Sequence, residues 1–168
     1  PGKTVLDVGC GSGVLTLFAA LKSQHVTAID INPQAVENTR LNCQGNSIEN
    51  VTVKTSDMFN EVDGRFDYII SYPPLFRVPF ASSDQQWCTS TYFVDELFKH
   101  AKDYLRPEGR IVVMLPKGYE PEPQTIADRN GLILESDFPQ QKRPLAIRLH
   151  AIPYLHLNMD NHIYTFRF

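Results

Sequence analysis

Short apolar runs alternate with segments of helical periodicity along most of the chain. The apolar runs, each bounded by turn residues, predict strands at residues 5–8, 25–30, 51–54, 66–71 and 110–115. Apolar residues spaced three or four positions apart predict helices at residues 14–21, 33–43, 93–105 and 123–130. Because parallel strands need long right-handed crossovers, this alternation predicts an α/β domain whose parallel sheet carries helices on both faces.

The pattern changes after residue 130. Residues 132–138, 145–151 and 163–168 are strand-like, and no helical segment long enough for a crossover separates them. Strands that follow one another without a crossover pair in antiparallel fashion. We therefore expect antiparallel pairing at one edge of the sheet.

Length and composition predict one domain. A chain of 168 residues with 42% hydrophobic residues can bury a single core, so we interpret residues 1–168 as one domain. The chain starts at Pro1 and enters an apolar run almost at once, and we expect an N-terminal segment of the full-length protein to be missing. No window approaches the roughly 20 consecutive apolar residues that cross a bilayer, and no secretory signal is present, so no membrane partner is expected.

The cysteine spacing and the net charge bear on metal binding and on nucleic-acid binding. Cys10, Cys43 and Cys88 show no paired C-x-x-C spacing, which argues against a metal site and favours reduced thiols in a cytoplasmic protein. The net charge of -3 and the pI near 5.9 give no overall positive field of the kind that draws proteins to nucleic acid. This balance disfavours a nucleic-acid partner without excluding one.

Three alternating glycines follow the first predicted strand. The sequence D-V-G-C-G-S-G places Asp7 before Gly9, Gly11 and Gly13, where a strand gives way to a helix. Glycines allow a sharp turn and let a ligand approach bare backbone. A dinucleotide fold prefers G-x-G-x-x-G, in which the helix N-terminus accepts a pyrophosphate, and the spacing here differs. An ordinary strand-to-helix turn is the alternative interpretation.

Acidic residues follow the next two strands. Asp30 ends the second strand, where a carboxylate can accept hydrogen bonds from both hydroxyls of a ribose. Asp57 and Met58 follow the third strand, where they suit an adenine amino group and an adenine ring. Taken with the glycine turn, these strand-end carboxylates favour a ligand that contains a nucleoside. Aspartates in surface loops are the alternative.

In order and spacing these segments resemble class I S-adenosylmethionine-dependent methyltransferases. The matching segments run from V-L-D-V-G-C-G-S-G-V-L through A-I-D-I-N-P and T-S-D-M to L-R-P-E-G-R-I-V, and they span essentially the whole chain. The resemblance implies a Rossmann-like, doubly wound, seven-stranded sheet of order 3-2-1-4-5-7-6 with strand 7 antiparallel. It also implies S-adenosyl-L-methionine as cofactor and S-adenosyl-L-homocysteine as product.

The cofactor carries an ammonium group and no phosphate, so Asp7 is placed to supply the carboxylate that this group needs. The residues that we expect to contact the cofactor are Asp7, Gly9, Cys10, Gly11, Gly13, Asp30, Ile31, Asp57, Met58 and Ser71.

The segment after the fourth strand carries the expected catalytic residues. S-Y-P-P-L-F resembles the N-P-P-[YF] motif of enzymes that methylate amino nitrogens, such as ribosomal RNA guanine and release-factor glutamine methyltransferases. In that motif the asparagine oxygen and the first proline's carbonyl accept bonds from the target amino group, and an aromatic ring packs against it. Here Tyr72 replaces the asparagine, Pro73 and Pro74 match, and Leu75 takes the aromatic position with Phe76 one residue later. The resemblance thus implies Tyr72, Pro73, Pro74 and Phe76 as catalytic residues, with the acceptor open between RNA, protein and small molecules.

Other interpretations stay open. The proline segment is compatible with a rigid turn of no catalytic role, and the altered motif with a scaffold that binds the cofactor without chemistry. A nicotinamide-dependent oxidoreductase shares the glycine turn but gives Asp57 no role. The aromatic-containing residues 75–89 suit either a substrate lid or a segment tucked under the sheet edge. We interpret His150 and His156 as structural.

Overall fold

The structure is a computed structural model that describes residues 2–74, 92–139 and 161–168. Within these residues seven strands form one sheet in the order β3-β2-β1-β4-β5-β7-β6. The strands are β1 (Thr4–Val8), β2 (His25–Asp30), β3 (Val51–Thr55), β4 (Phe66–Ser71), β5 (Leu105–Pro116), β6 (Ile133–Pro139) and β7 (Asn161–Arg167). Strands β1 to β5 pair in parallel, and β7 runs antiparallel to both β5 and β6. The predicted order and the antiparallel seventh strand are confirmed, whereas the strand-like residues 145–151 lie outside the described residues.

Four helices connect the strands in the described part of the chain. They are α1 (Val14–Ala20), α2 (Pro33–Gly45), α3 (Phe93–Tyr104) and α4 (Pro123–Arg129). Helix α2 begins as its sequence predicts, because the side chain of Asn32 accepts a hydrogen bond from the backbone of Gln34 and Pro33 occupies the first turn. These helices cover both faces of the sheet, as expected for a doubly wound fold.

The larger core lies between the sheet and helices α3 and α4. Fully buried side chains of the central strands, such as Leu6, Ile69 and Ile111, pack there against Phe98 and Ile126. A smaller cluster on the opposite face joins the sheet to α1. Each large apolar side chain that is buried contributes about 1.5–3 kcal/mol to the stability of the fold. The core therefore fixes the positions of the strand ends that carry the candidate site.

The fifth strand begins earlier than predicted. It starts at Leu105, directly after α3, and bulges before it reaches the regular pairing of Tyr68 with Arg110. The Pro-Glu-Gly sequence that predicts the end of the helix forms this bulge. A Cβ atom at Gly109 would lie 2.8 Å from the carbonyl oxygen of Arg106, so the bulge requires glycine there.

Helix α1 has an unexpected orientation. Its large apolar residues Val14 and Phe18, together with Leu21 just beyond its end, are exposed, while Thr16 and Ala20 are buried against the sheet. The helical spacing is therefore correct, but the buried face of α1 is the one with small side chains. No helix among the described residues is long and apolar enough to cross a membrane.

Candidate functional site

The carboxyl ends of the first four strands lie side by side at one edge of the sheet. Asp7 is paired with Ala28 in β2 and with Ile70 in β4, and Asp30 is paired with Thr55 in β3. Open parallel sheets bind ligands outside these carboxyl ends, at the point where the strand order reverses. Here that point lies between β1 and β4, next to the predicted site residues.

Residues 9–13 form a glycine loop between β1 and α1. Gly9, Gly11 and Gly13 have φ angles of 74°, 56° and 85°, which non-glycine residues rarely adopt. The backbone N–H groups of Gly9 and Cys10 both donate to the carbonyl of Ile29, which ties the loop to β2. The loop thus offers a tightly turned stretch of backbone to a ligand at the strand ends.

Asp7 lies beneath this loop and is fully buried. Its side chain points towards α1, where the Thr16 hydroxyl donates to Oδ2 at 2.5 Å. The other oxygen, Oδ1, is buried and has no hydrogen-bond partner. Burial raises the pKa of Asp7 from 3.8 to about 7, opposed by the Thr16 hydrogen bond and reinforced by the nearby charge of Asp30. An unpaired buried carboxyl oxygen is costly, and a cationic ligand group would satisfy it.

Asp30, at the end of the neighbouring strand β2, is hydrogen-bonded to the glycine loop. Its Oδ2 accepts from the Gly11 N–H and its Oδ1 from the Asn32 N–H, both at 2.9 Å. A carboxylate has about four acceptor positions, so two remain for ligand hydroxyls. Beside it the apolar side chain of Ile31 is 47% exposed, which leaves a surface that a flat ring can cover.

Threonine and asparagine side chains on α2 support the glycine loop, a role that the sequence pattern does not predict. Thr39 is fully buried and donates to the Gly11 carbonyl at 3.1 Å, while the Asn42 side chain donates to the Ser12 carbonyl at 2.8 Å. The signal that could have revealed Thr39 is its position on the buried face of α2, between Val36 and Cys43. A polar residue on such a face indicates a nearby hydrogen-bond acceptor.

Cys10 is a packed thiol within the glycine loop. It is buried and lies 3.4 Å from the Thr39 hydroxyl. Burial raises the pKa of Cys10 to about 12, so the thiol stays neutral. Its side chain therefore helps to shape the loop and is not a nucleophile.

The turn after β3 carries Asp57 and Met58. Ser56 is buried there, and its hydroxyl donates to the Met58 carbonyl at 2.7 Å and accepts from the Glu61 N–H. Met58 has a φ angle of 47°, so Ser56 holds this turn in an uncommon conformation, and Ser56 is a third supporting residue that the sequence pattern does not predict. Asp57 is exposed, as an adenine-contacting carboxylate has to be.

The proline turn, residues 71–74, follows β4 on the other side of β1. Ser71 is buried, and its hydroxyl donates to the Val8 carbonyl at 2.7 Å, which joins the ends of β4 and β1. Tyr72 is 40% exposed, Pro73 is buried and Pro74 is half-buried. Phe76, the remaining predicted catalytic residue, and the proposed lid lie outside the described residues, as do His150 and His156.

The first residue of helix α3 packs against the glycine loop. The ring of Phe93, its first residue, lies against Gly9, where a Cβ atom would be 3.3 Å from the Phe93 Cζ. Phe93 also packs on the main core, so the glycine loop is fixed to that core. Nothing in the sequence near either residue indicates this contact, because they are far apart along the chain.

No group of three or more His, Cys, Asp or Glu side chains able to hold a metal ion occurs within residues 2–74, 92–139 and 161–168. The buried oxygen of Asp7, the backbone of the glycine loop, the half-buried Asp30 and the exposed Ile31 instead fit an organic ligand with a cationic end and a nucleoside end. The geometry thus agrees with the cofactor that the sequence resemblance implies.

Comparison with known families identifies the chain. The profile of the methyltransferase small domain family matches residues 1–129. The chain belongs to the methyltransferase small domain family. This membership confirms the resemblance to S-adenosylmethionine-dependent methyltransferases, and it removes the nicotinamide-dependent oxidoreductase from consideration.

Two curated relatives match the methyltransferase chain over different lengths. Ribosomal RNA small subunit methyltransferase C of Chromohalobacter salexigens is 32% identical over 130 residues, which is 77% of this chain and 36% of that protein. Ribosomal protein L11 methyltransferase of Thermotoga neapolitana is 48% identical over 71 residues, 42% of this chain and 26% of that protein. The chain thus spans roughly a quarter to a third of the length of these relatives.

A solved structure shows the same fold. Ribosomal protein L11 methylase of Lactobacillus delbrueckii subsp. bulgaricus superimposes with a TM-score of 0.72 at 17% sequence identity, over 99% of this chain and 70% of that one. The class I methyltransferase fold predicted from the sequence is confirmed by this similarity and by the strand order.

Proposed function

We propose that this chain is the catalytic core of an S-adenosylmethionine-dependent methyltransferase that transfers a methyl group to an amino nitrogen. The observation that carries the proposal is the glycine loop with the unpaired buried oxygen of Asp7 below it and Asp30 at its rim. Family membership supports the reaction class. The two named relatives differ in their acceptors, so they do not select between RNA and protein.

The residues of the glycine-loop side would hold the cofactor. Asp7 pairs with its ammonium group, the backbone of Gly9, Cys10, Gly11 and Gly13 lines its amino-acid part, and Asp30 accepts from the ribose hydroxyls. Ile31 and Met58 would supply apolar contacts to the adenine ring, and Asp57 would accept a hydrogen bond from the adenine amino group. When bound, the cofactor supplies an electrophilic methyl group on a sulfonium.

The residues of the proline-turn side would hold the acceptor. The Pro73 carbonyl and the Tyr72 hydroxyl oxygen each can accept a hydrogen bond from an amino group, which would aim the nitrogen lone pair at the glycine-loop side. Ser71 fixes this turn to β1 through the Val8 carbonyl. Holding two reactants in line contributes about 7–11 kcal/mol in well-oriented reactions. As the S–CH3 bond of the sulfonium breaks, the N–CH3 bond would form, and the surplus amino proton would pass to the solvent.

A cofactor-binding scaffold without activity is the second candidate. It is favoured by one observation, the tyrosine at position 72 where the amino-methyltransferase motif has asparagine. A phenol offers one acceptor oxygen but lacks the carbonyl geometry of an amide.

Isothermal titration calorimetry with S-adenosylhomocysteine and with NAD tests the cofactor part of the proposal. We expect saturable binding of S-adenosylhomocysteine and none of NAD. Asp30→Ala should weaken the binding about 10-fold, because it removes acceptor oxygens and the hydrogen bond to Gly11. Asp63→Ala is a matched control, because the Asp63 side chain is 95% exposed and pairs with Lys54, not with the glycine loop. Binding of NAD without a response to S-adenosylhomocysteine would overturn the assignment.

Labelled-methyl transfer into cell extract tests the catalytic part. At a limiting cofactor concentration, we expect a labelled product that is reduced with the Asp30→Ala variant and retained with the Asp63→Ala variant. Confirmed cofactor binding without any labelled product would favour the scaffold. Treatment of a labelled product with ribonuclease or with protease then separates an RNA acceptor from a protein.

A further inference from the structure

The environment of Asp7 is unusual for a group that meets a cation. The carboxyl is fully buried, and Oδ2 is occupied by the Thr16 hydroxyl while Oδ1 has no hydrogen-bond partner. The residues paired with it in the neighbouring strands, Ala28 and Ile70, are apolar. An ionised carboxylate in such surroundings has one oxygen that is shielded from bulk solvent and has no hydrogen-bond partner in the protein, which favours the neutral form.

The groups that act on Asp7 from adjacent elements do not supply a positive charge. Thr16 from α1 stabilises the carboxylate through its hydroxyl, which donates to Oδ2, and through its backbone N–H, while Asp30 from β2 adds a second negative charge. Cys10 from the glycine loop is a neutral thiol, because burial raises its pKa to about 12. Burial likewise raises the pKa of Asp7 to about 7, well above its ordinary value.

We propose that Asp7 carries a proton in the ligand-free protein and that the cofactor's ammonium group displaces this proton on binding. The O–H bond of the Asp7 carboxyl breaks, the proton passes to the solvent, and the resulting carboxylate pairs with the ammonium. Cofactor binding is thereby linked to pH through a residue of the binding site itself. The inference rests on the proposed function, since it needs the amino-acid end of the cofactor to lie at Asp7.

Calorimetry in buffers of different ionisation enthalpy measures the proton release. At pH 6 the α-amino group of S-adenosylhomocysteine is fully protonated, whereas at pH 7 about 0.1–0.2 of it is neutral and takes up a proton on binding, because such groups have pKa values of about 7.7–8.0. For an Asp7 pKa of about 7, we therefore expect a net release of about 0.9 proton per ligand at pH 6 and about 0.3–0.4 at pH 7. The apparent affinity should rise about fivefold over the same interval.

Two substitutions assign the proton to Asp7. Asp7→Asn has no ionisable group, so any remaining binding should release no proton, while the matched variant Asp63→Asn at an exposed position should release as many as the parent. Thr16→Val keeps the shape of the side chain but removes the hydrogen bond that favours the carboxylate. Proton release by Thr16→Val at pH 7 should therefore rise above the parent value towards one.

The outcomes separate this inference from the function on which it rests. Binding of S-adenosylhomocysteine with no buffer-dependent heat would overturn the proton release and leave the methyltransferase proposal standing. If Asp7→Asn does not fold, the Thr16→Val variant still tests the source of the proton. Proton release by Thr16→Val equal to that of the parent at pH 7 would exclude Asp7 as the source. Absence of any binding by the parent protein overturns the proposed function, and the inference with it.

Discussion

The two sides of the site are built in different ways. On the glycine-loop side, side chains hold the backbone directly, since Asp30 accepts from Gly11 and Thr39 and Asn42 donate to the loop carbonyls. On the proline-turn side, Pro73 and Pro74 have no N–H to offer, and their rings restrict the backbone instead. The first side is a network of specific hydrogen bonds, and the second is a stiff turn with an exposed Tyr72.

This difference matches the two tasks that we assign to the site. A cofactor of fixed structure favours a network in which each polar group has a set position. An acceptor that differs from one enzyme to the next favours a surface whose exposed side chains can change without loss of the fold. Substitutions on the glycine-loop side should therefore affect stability and cofactor binding together, while substitutions at Tyr72 should affect methyl transfer alone.

The largest expected effect concerns Asp7 and pH. Its pKa rises from 3.8 to about 7 on folding, so the folded state binds more protons than the unfolded state between these values. Its contribution to stability is fully present below about pH 4 and is lost as the pH rises to 7, a change on the order of 4 kcal/mol. Urea unfolding measures the free energy of unfolding of both proteins at pH 5 and at pH 8. From pH 5 to pH 8, this free energy should fall more in the parent than in Asp7→Asn. An equal fall in both proteins would contradict the buried, protonated carboxyl.

The second effect concerns the shape of the glycine loop. A Cβ atom at Gly13 would lie 2.9 Å from Cγ2 of Thr39, and one at Gly11 would meet nothing within 4 Å, although both glycines have positive φ angles. Gly13→Ala should cost about 3 kcal/mol, from the left-handed backbone and from the overlap, and Gly11→Ala only about 1–2 kcal/mol from the backbone. Chemical unfolding measures both variants. Equal costs would show that the contact with Thr39 does not shape the loop.

The parts of the site also differ in how far the sequence predicts them. The glycine loop and Asp30 lie in short segments whose spacing carries their geometry, and the period of the apolar residues predicts the elements around them. The contacts of Ser71 with Val8 and of Phe93 with Gly9 join residues far apart in sequence, so no local pattern contains them. Helix α1 was predicted, but its exposed Phe18 was not, because periodicity does not tell which face meets the sheet.

The third effect concerns the hydrogen bonds that the Asp30 carboxylate accepts from the backbone. Asp30→Asn replaces one carboxylate oxygen by an NH2 group that has to face a backbone N–H, of either Gly11 or Asn32. Loss of this hydrogen bond should cost about 1–3 kcal/mol of stability and weaken S-adenosylhomocysteine binding. Thermal unfolding with and without the ligand measures both quantities. Asp63→Asn should change neither, since its side chain is exposed. Lost affinity at unchanged stability would mean that Asp30 serves the ligand and not the loop.

The smallest expected effect on stability is at Tyr72, where the consequence for activity is the most informative. Tyr72 is 40% exposed and belongs to neither apolar cluster, so Tyr72→Asn and Tyr72→Phe should each cost only about 1 kcal/mol of stability and leave S-adenosylhomocysteine binding unchanged. Tyr72→Phe removes the acceptor oxygen, whereas Tyr72→Asn supplies an amide oxygen in its place. If the proline turn orients an amino nitrogen, labelled-methyl transfer should fall with phenylalanine and be kept or increased with asparagine. Equal transfer by both variants would remove Tyr72 from the acceptor site, because the side-chain oxygen would then have no part in the reaction.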